Sequence, residues 1–99
     1  MNESNPDDIR FPIETATAIT NDLVKEAFEK GKARSQEYQN GFRDGALDRL
    51  AEGRANEPIF RPPYKEGTCQ FDAWVAGRDE GDTAACAFQL VYMEDNGLF

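Results

Sequence analysis

Two stretches, GFRDG at residues 41–45 and GRDEG at residues 77–81, each place two glycines four residues apart. Residues with this spacing lie on one face of an α-helix, so each pair removes the side chains from a patch of helix surface. Such a patch lets another helix or an aromatic ring approach closely. We interpret both pairs as packing devices and predict that each lies within a helix.

The apolar pattern around the first pair predicts one long amphipathic helix over residues 18–52. Thr15 or Thr17 can cap its beginning, with Ala18 as the first helical residue if Thr17 is the cap, and Gly53 can end it. Apolar side chains recur at steps of four or five residues, which is close to one stripe on a helix. They are Ile19, Leu23, Phe28, Ala33, Tyr38, Phe42, Ala46 and Leu50.

This first helix carries internal glycines and is not expected to be straight. The apolar pattern is weakest over residues 30–37. Gly31, Gly41 and Gly45 each cost about 1 kcal/mol relative to alanine in a helix interior. We therefore predict that the helix bends or breaks near Gly31 or Gly41.

A second amphipathic helix is predicted to follow Thr68, which is a suitable N-cap with Asp72 in the first turn. Asn96 and Gly97 provide its end. Its apolar stripe consists of Phe71, Trp74, Val75, Ala85, Phe88 and Tyr92.

The remaining segments divide the chain into an N-terminal arm at residues 1–16 and a helical domain at 17–96, with a Pro-rich connector at 54–67. Residues 1–10 show no apolar period and are predicted to be disordered. The Phe11-Pro12-Ile13 segment is predicted to be extended and to lie on the core.

The fold class is therefore predicted to be all-α, with two main amphipathic helices joined by a Pro-rich loop as a helical hairpin. A chain of 99 residues hides only about 60% of the surface that it exposes when unfolded. A lone hairpin leaves much of both stripes uncovered. We expect a homodimer that forms a helical bundle.

The composition argues against an enzyme. The chain has no His, which excludes Ser-His and Cys-His nucleophile pairs and His-ligated zinc. Cys69 and Cys86 are too few for a four-cysteine zinc site, and both are expected to be unpaired and buried or half-buried. No Gly-rich phosphate loop is present. We predict no catalytic residues, no metal and no cofactor.

The charge and hydropathy indicate a cytoplasmic protein with a polarised surface. The longest uncharged run, residues 83–93, is too short for a membrane-spanning helix. The total charge of −8 is divided into −4 over residues 1–24, +2 over residues 25–65 and −6 over residues 66–99. Acidic ends beside a basic middle can steer association with charged partners.

The order of several small motifs resembles the ribosome modulation factor family. The motifs are GFRDG at 41–45, Gly53-Arg54, Pro62-Pro63-Tyr64 and WVAGRDEG at 74–81. The resemblance covers about residues 38–84. It implies a small helical, non-enzymatic protein that binds the small ribosomal subunit and helps to store inactive ribosomes as dimers.

By position, the resemblance assigns a shared scaffold to Gly41, Gly45, Tyr64, Trp74 and Gly77. It assigns phosphate contacts to Arg43, Arg54 and Arg78. The chain departs from the family in charge, because ribosome modulation factors are strongly basic and this chain has a pI near 4.4. It also has Pro62 where the family commonly has Cys. These departures favour inheritance of the fold over inheritance of the function.

Two functions follow as alternatives. In the first, the protein modulates the ribosome or another nucleic-acid-handling machine through its basic middle segment. The bases that would contact phosphates there are Lys30, Lys32, Arg34, Arg43, Arg49 and Arg54. Tyr64 or Phe60 would be available for stacking, and Trp74 is a core anchor or a partner contact. In the second, the chain is an acidic inhibitor from a phage or mobile element, comparable to some anti-CRISPR proteins. Its carboxylates would then replace phosphates on a host or defence protein that binds nucleic acid. The candidates are Asp72, Asp79, Glu80 and Asp82.

Simpler interpretations stand beside both functions. The bases can pair with neighbouring acids along a solvated helix, as Lys25 with Glu29 or Arg49 with Glu52. The acids can simply form a solubilising face.

Overall fold

The computed structural model describes residues 6–29, 34–53 and 64–98. Within these ranges a 3₁₀ turn at Pro6–Asp8 precedes three helices: α1 (Ile13–Phe28), α2 (Gln36–Leu50) and α3 (Cys69–Asp95). The predicted all-α class is confirmed for this part of the chain. None of the helices described is both long and apolar enough to cross a membrane. Most of the predicted Pro-rich connector, residues 54–63, lies outside the described residues.

The predicted start of the first helix is wrong. The helix begins at Ile13, with Pro12 in the N-cap position, and not at Ala18. Pro12 has a φ of −54° and no N–H to satisfy, which suits the entry to a helix. Thr17, one of the two predicted caps, lies inside α1, where its hydroxyl donates to the carbonyl of Ile13 at 2.7 Å.

The single helix predicted over residues 18–52 is in fact two helices. The break falls between residues 28 and 36, where the apolar pattern is weakest. Ser35 begins α2, because its hydroxyl accepts a hydrogen bond from the Tyr38 N–H at 3.2 Å. Gly41 does not break the chain and lies in the middle of α2.

The boundaries of the last helix follow the prediction. The hydroxyl of Thr68 accepts a hydrogen bond from the Phe71 N–H at 3.2 Å and caps α3. The helix ends at Asp95 and is followed by Asn96 and by Gly97, which has a φ of +64°. This left-handed conformation is common after a helix C-terminus and is nearly free of strain only for glycine.

The two glycine pairs meet where α2 crosses α3. A Cβ atom built on Gly41 would lie 2.0 Å from the carbonyl oxygen of Trp74, and one on Gly77 would lie 2.0 Å from that of Tyr38. The other pair repeats the arrangement, with Gly45 against the Arg78 carbonyl at 2.2 Å and Gly81 against the Phe42 carbonyl at 2.0 Å. No side chain fits in so little space. The two backbones are therefore in direct contact, with glycine Cα–H groups directed at carbonyl oxygens.

The contacts also establish the relative direction of the two helices. Tyr38 opposes Gly77, and one turn later Phe42 opposes Gly81. Residue numbers therefore increase in the same direction along both helices. Helices α2 and α3 are parallel, which differs from the antiparallel arrangement of the predicted hairpin. The connection between them is long enough to return over α2, whose length is about 22 Å.

The core beside this crossing is small and rich in alanine. The buried cluster consists of Ala16, Ala46, Leu50, Ala51 and Ala85. Larger apolar side chains, including those of Phe11, Ile19, Leu23, Leu47 and Phe88, pack around it and remain partly exposed. The predicted stripe of α2 is confirmed as its buried face, since Tyr38, Phe42, Ala46 and Leu50 are all buried.

The segment before α1 lies against the end of α2, which confirms the prediction for Phe11. Ile13, predicted to belong to the same extended segment, is instead the first residue of α1 and is 48% exposed. The Phe11 N–H donates to the Leu50 carbonyl at 2.7 Å, and the Glu52 N–H donates to the Phe11 carbonyl at 2.8 Å. The Phe11 ring makes edge-to-face contacts with the rings of Phe88 and Tyr92.

The prediction of disorder over residues 1–10 is wrong for residues 6–10, because buried polar side chains hold this segment. The Gln89 side chain is completely buried on α3 and donates to the Ile9 carbonyl at 2.8 Å. It also donates to the Arg49 carbonyl at 3.3 Å and accepts from the Arg49 guanidinium at 3.1 Å. Arg10 donates to the Asp48 carbonyl at 2.8 Å.

The glycine crossing predicts that Gly77→Ala destabilises the protein. Helix propensity alone would stabilise this variant by about 1 kcal/mol. The new methyl group would meet the Tyr38 carbonyl and force the helices apart, so we expect a net loss of about 2 kcal/mol in the free energy of unfolding. Urea denaturation followed by circular dichroism measures it. Ala76→Gly, at the neighbouring exposed position, gives the propensity effect alone. A gain in stability for Gly77→Ala would contradict the backbone contact.

The hydrogen bonds of the buried Gln89 side chain predict that Gln89→Met costs about 2 kcal/mol, because two partly buried carbonyls lose a donor while the volume of the side chain is nearly retained. Gln70→Met, at an exposed position of the same helix, is the matched control and should change stability by no more than about 0.5 kcal/mol. Equal effects of the two substitutions in thermal denaturation would show that the Gln89 bonds contribute little.

Candidate binding surfaces

A polar cleft of about 590 Å³ lies beside the glycine crossing, where α2, α3 and the N-terminal segment meet. Its charged side chains are Arg10, Asp48, Arg49, Arg78, Asp79 and Asp82. Three are basic and three are acidic, so the described lining of the cleft has no net charge. Arg49 and Arg78 face carboxylates of the same chain.

Arg78, a predicted phosphate contact, is held inside this cleft. Its Nη2 lies 2.8 Å from an Asp48 carboxylate oxygen, and its guanidinium lies 5.4 Å from the centre of the Trp74 ring. Its Nη1 is buried and makes no hydrogen bond within the part of the chain that the structure describes. A phosphate group would have to compete with Asp48 to bind here.

Arg49 and Asp82 form a second ion pair across the two helices. Nε of Arg49 lies 2.8 Å from one oxygen of Asp82 and its Nη2 lies 3.3 Å from the other. Asp82, a predicted partner-binding carboxylate, is therefore paired with Arg49 of the same chain, although 51% of its side chain remains exposed. Exposed ion pairs of this kind contribute at most about 1 kcal/mol.

Of the two other predicted phosphate contacts, only Arg43 can be placed, and it does not line this cleft. Arg43 is exposed on α2 and donates a hydrogen bond to the side-chain oxygen of Asn21 on α1. Arg54 lies outside the described residues. The structure therefore does not bring Arg43 and Arg78, the two of these arginines that it describes, together as one phosphate-binding group.

The predicted aromatic contacts have structural partners. The Trp74 side chain is 5% exposed, and its indole N–H donates to the Asp44 carboxylate at 3.2 Å. The Tyr64 hydroxyl accepts a hydrogen bond from the Asn40 amide at 3.1 Å, and its side chain is half-buried. Trp74 cannot stack on a base without leaving the crossing.

Three of the predicted acidic residues, by contrast, lie open to solvent. Asp72, Asp79 and Glu80 are exposed on one side of α3, and we name these three residues the acidic face. Among the described residues, none of the three carboxylates takes part in an ion pair. This arrangement leaves their negative charge directed at solvent.

Two aspartates and one glutamine that organise the site were missed from the sequence. Asp44 and Asp48 are four residues apart on α2. Asp44 accepts a hydrogen bond from the Trp74 indole of the facing helix, and Asp48 forms an ion pair with Arg78 of that helix. Their spacing matches that of the glycines, which is the signal that indicated a shared face. Gln89 interrupts the apolar end of α3, and a lone amide at such a position indicates a buried hydrogen bond.

The cysteines and carboxylates offer no built metal site. Cys86 is half-buried and unpaired as predicted, but Cys69, expected to be covered, is exposed as the first residue of α3. Within the described ranges, no three His, Cys, Asp or Glu side chains are grouped to hold a metal ion.

The buried indole predicts a protected fluorophore, since Trp74 is the chain's single tryptophan. Iodide should quench the emission of the folded protein several-fold less than that of the protein in 8 M urea. The acidic surface also repels iodide, so neutral acrylamide is the second quencher and should give the same order. Equal acrylamide quenching in both states would place Trp74 at the surface and return it to the candidates for partner contact.

Neither a protein-family model, nor a curated protein sequence, nor a solved structure matches the chain. Its function therefore has to be inferred from the chemistry of its own surface.

Proposed function

We propose that this chain is a cytoplasmic, non-enzymatic binding protein that modulates a nucleic-acid-handling machine by docking the acidic face of α3 on a basic protein surface. The partner would be a protein that binds DNA or RNA, and the carboxylates of the acidic face would occupy positions that phosphates otherwise take. The protein would then act as a competitor of nucleic acid.

The observation that carries the proposal is the contrast between exposed acids and engaged arginines. Arg49 and Arg78 face Asp82 and Asp48, whereas the three carboxylates of the acidic face are solvent-exposed. The exposed basic side chains among the described residues are Lys25, Arg34, Arg43 and Lys65. The exposed acids in the same ranges are Asp8, Glu14, Asp22, Glu26, Glu29, Glu52, Glu66, Asp72, Asp79, Glu80, Glu94 and Asp95.

This excess favours a basic partner over a nucleic acid. Binding of RNA or DNA gains free energy from cations that displace counterions from phosphates. An exposed surface dominated by carboxylates would repel a phosphate backbone and attract lysine and arginine. Long-range attraction of this kind raises the association rate with a basic protein and weakens as salt is added.

The helical position of the acidic face also supports the proposal. Asp72 and Asp79 are separated by two turns, about 10 Å along α3, and Glu80 extends the face sideways. The rigid crossing with α2 holds α3 in place. Binding therefore requires little ordering of the backbone, which reduces the entropic cost of association.

Direct contact with ribosomal RNA is the second candidate, as the resemblance to ribosome modulation factors implies. The observation in its favour is that the two glycine pairs, the most distinctive shared motifs, belong to one helix crossing. Arg43 is exposed beside this crossing. If this candidate is correct, the protein binds ribosomes in a salt-dependent manner, and Arg43→Ala with Arg54→Ala abolishes the binding.

The homodimer expected from the short chain remains a prediction. The small alanine-rich core is consistent with help from a second copy, because small domains bury too little apolar surface for high stability alone. Sedimentation equilibrium of the purified protein measures the oligomeric state.

The proposed function predicts that removing the charge of the acidic face weakens partner binding about tenfold. The variant combines Asp72→Asn, Asp79→Asn and Glu80→Gln. Three exposed ion pairs of about 0.5 kcal/mol each correspond to roughly this factor. The experiment captures the tagged protein's partners from a bacterial lysate, identifies them by mass spectrometry and measures each affinity with the purified partner.

The matched control removes three negative charges outside the acidic face, through Asp8→Asn, Asp22→Asn and Glu66→Gln. It should retain most of the affinity, and a nucleic acid that the partner binds should displace both proteins. Equal losses of partner affinity in the two variants would show that the acidic face is only a solubilising surface. Capture of ribosomes with their RNA would favour the second candidate instead.

A further inference from the structure

An open apolar groove runs between α1 and α3. Helix α2 packs extensively on α3, whereas α1 leans mainly on α2 and barely touches α3. The space left between α1 and α3 is about 590 Å³. Its apolar lining includes Leu23, Ala27, Ala84, Ala87, Phe88 and Val91, and buried Phe42 forms part of the floor.

The groove leaves apolar side chains uncovered along three turns of α3. Glu80, Ala84, Ala87 and Val91 follow one another at steps of four, three and four residues and so lie on one side of the helix. The distance from the first to the last is about 16 Å. Val91 is 56% exposed, which is a large fraction for an aliphatic residue beside a core. Alanines at the centre of the stripe leave room for the side chains of another helix.

Among the described residues, the charged side chains that line the groove are both glutamates. Glu26 lies on the α1 side and Glu80 on the α3 side, and both are exposed. A groove with an apolar floor and an acidic residue at each edge is complementary to a helix that has an apolar stripe between basic residues. A second copy of this chain is less suitable, because it has a net charge of −8 and would bring further carboxylates to the same edges.

We propose that the groove between α1 and α3 binds an amphipathic basic helix of the partner protein. The apolar stripe of that helix would contact Val91, Ala87 and Phe88, while its lysines or arginines would reach Glu26 and Glu80. This inference rests on the proposed function and names the form in which the basic partner is recognised. Glu80 belongs both to the acidic face and to the groove, so one partner can contact the two surfaces at once.

The test uses a fluorescein-labelled 14-residue peptide of leucine and lysine whose leucines fall on one helical face. A scrambled peptide of identical composition and charge is the control, because it lacks that face. We expect saturable binding of the patterned peptide to the full chain in 150 mM salt, measured by fluorescence anisotropy. The scrambled peptide should bind at least tenfold more weakly. Equal binding of both peptides would show attraction by charge alone and overturn the inference.

Two neighbouring substitutions separate the groove from the rest of α3. Val91→Asp places a charge on the groove wall, whereas Leu90→Asp adds the same charge at an exposed residue that is not part of the lining. We expect Val91→Asp to weaken the patterned peptide at least tenfold and Leu90→Asp to change its affinity less than twofold. The added charge should attract lysine, so a loss for Val91→Asp reports the apolar contact. Ala87→Gln, which narrows the groove without adding charge, should give a similar loss.

Equal affinities of the Val91→Asp and Leu90→Asp variants would overturn the inference. So would a peptide-free dimer in sedimentation equilibrium that Val91→Asp converts to monomer, because a second copy would then fill the groove. Failure here is distinct from failure of the proposed function. If the peptide does not bind while a basic partner still depends on the acidic face, only the groove inference is wrong. If the peptide binds as expected and no nucleic-acid-binding partner depends on the acidic face, only the proposed function is wrong.

Discussion

Backbone contact between α2 and α3 is the constraint on which the rest of the structure depends. Four glycines remove every side chain from the crossing, and each faces a carbonyl oxygen of the opposite helix. Close packing of this kind gains dispersion energy from many atoms that would otherwise be separated by side chains. The buried cluster beside the crossing is mostly alanine, and the backbone contact adds tight packing that larger side chains provide in other domains.

The crossing also determines which polar groups meet. Because the two helices are parallel, Asp44 lies beside Trp74 and Asp48 beside Arg78. Farther along the same two helices, Arg49 reaches Asp82. The cations nearest the crossing are thereby matched by internal carboxylates. The acids on the outer side of α3 face none of the described helices and are exposed, so their charge is left for solvent or for a partner.

The position of α1 explains both the covered and the uncovered apolar surfaces. Phe11 pairs with the end of α2 and packs its ring on α3, while Gln89 hydrogen-bonds the segment just before it. These contacts attach the start of α1 near the C-terminal half of α3 and let the helix lean on α2. None of the helices that the structure describes is consequently packed along the side of α3 that begins at Glu80 and ends at Val91. The groove is a geometric result of how α1 is anchored.

The sequence by itself determined the helical class, the buried stripe of α2 and both ends of α3, because these depend on local periodicity and capping groups. Thr68 caps α3 through an atom three residues away, which is local information. The resemblance of the motifs and the charge of the ends suggested the candidate residues, but not which of them would be engaged. Arg78 and Asp82 looked like binding residues in the sequence and are ion-paired within the fold.

Only the tertiary structure decided the parallel direction of α2 and α3, the attachment of Phe11 to the same chain and the groove beside α1. Glycine spacing identifies a face but is the same for parallel and antiparallel crossings, so direction is absent from the pattern. The partners of Gln89 are as far as 80 residues away along the chain, and no local rule connects them. The physical reason is the same in each case. Helix periodicity is a property of neighbours in sequence, whereas pairing and packing depend on which faces the folded chain brings together.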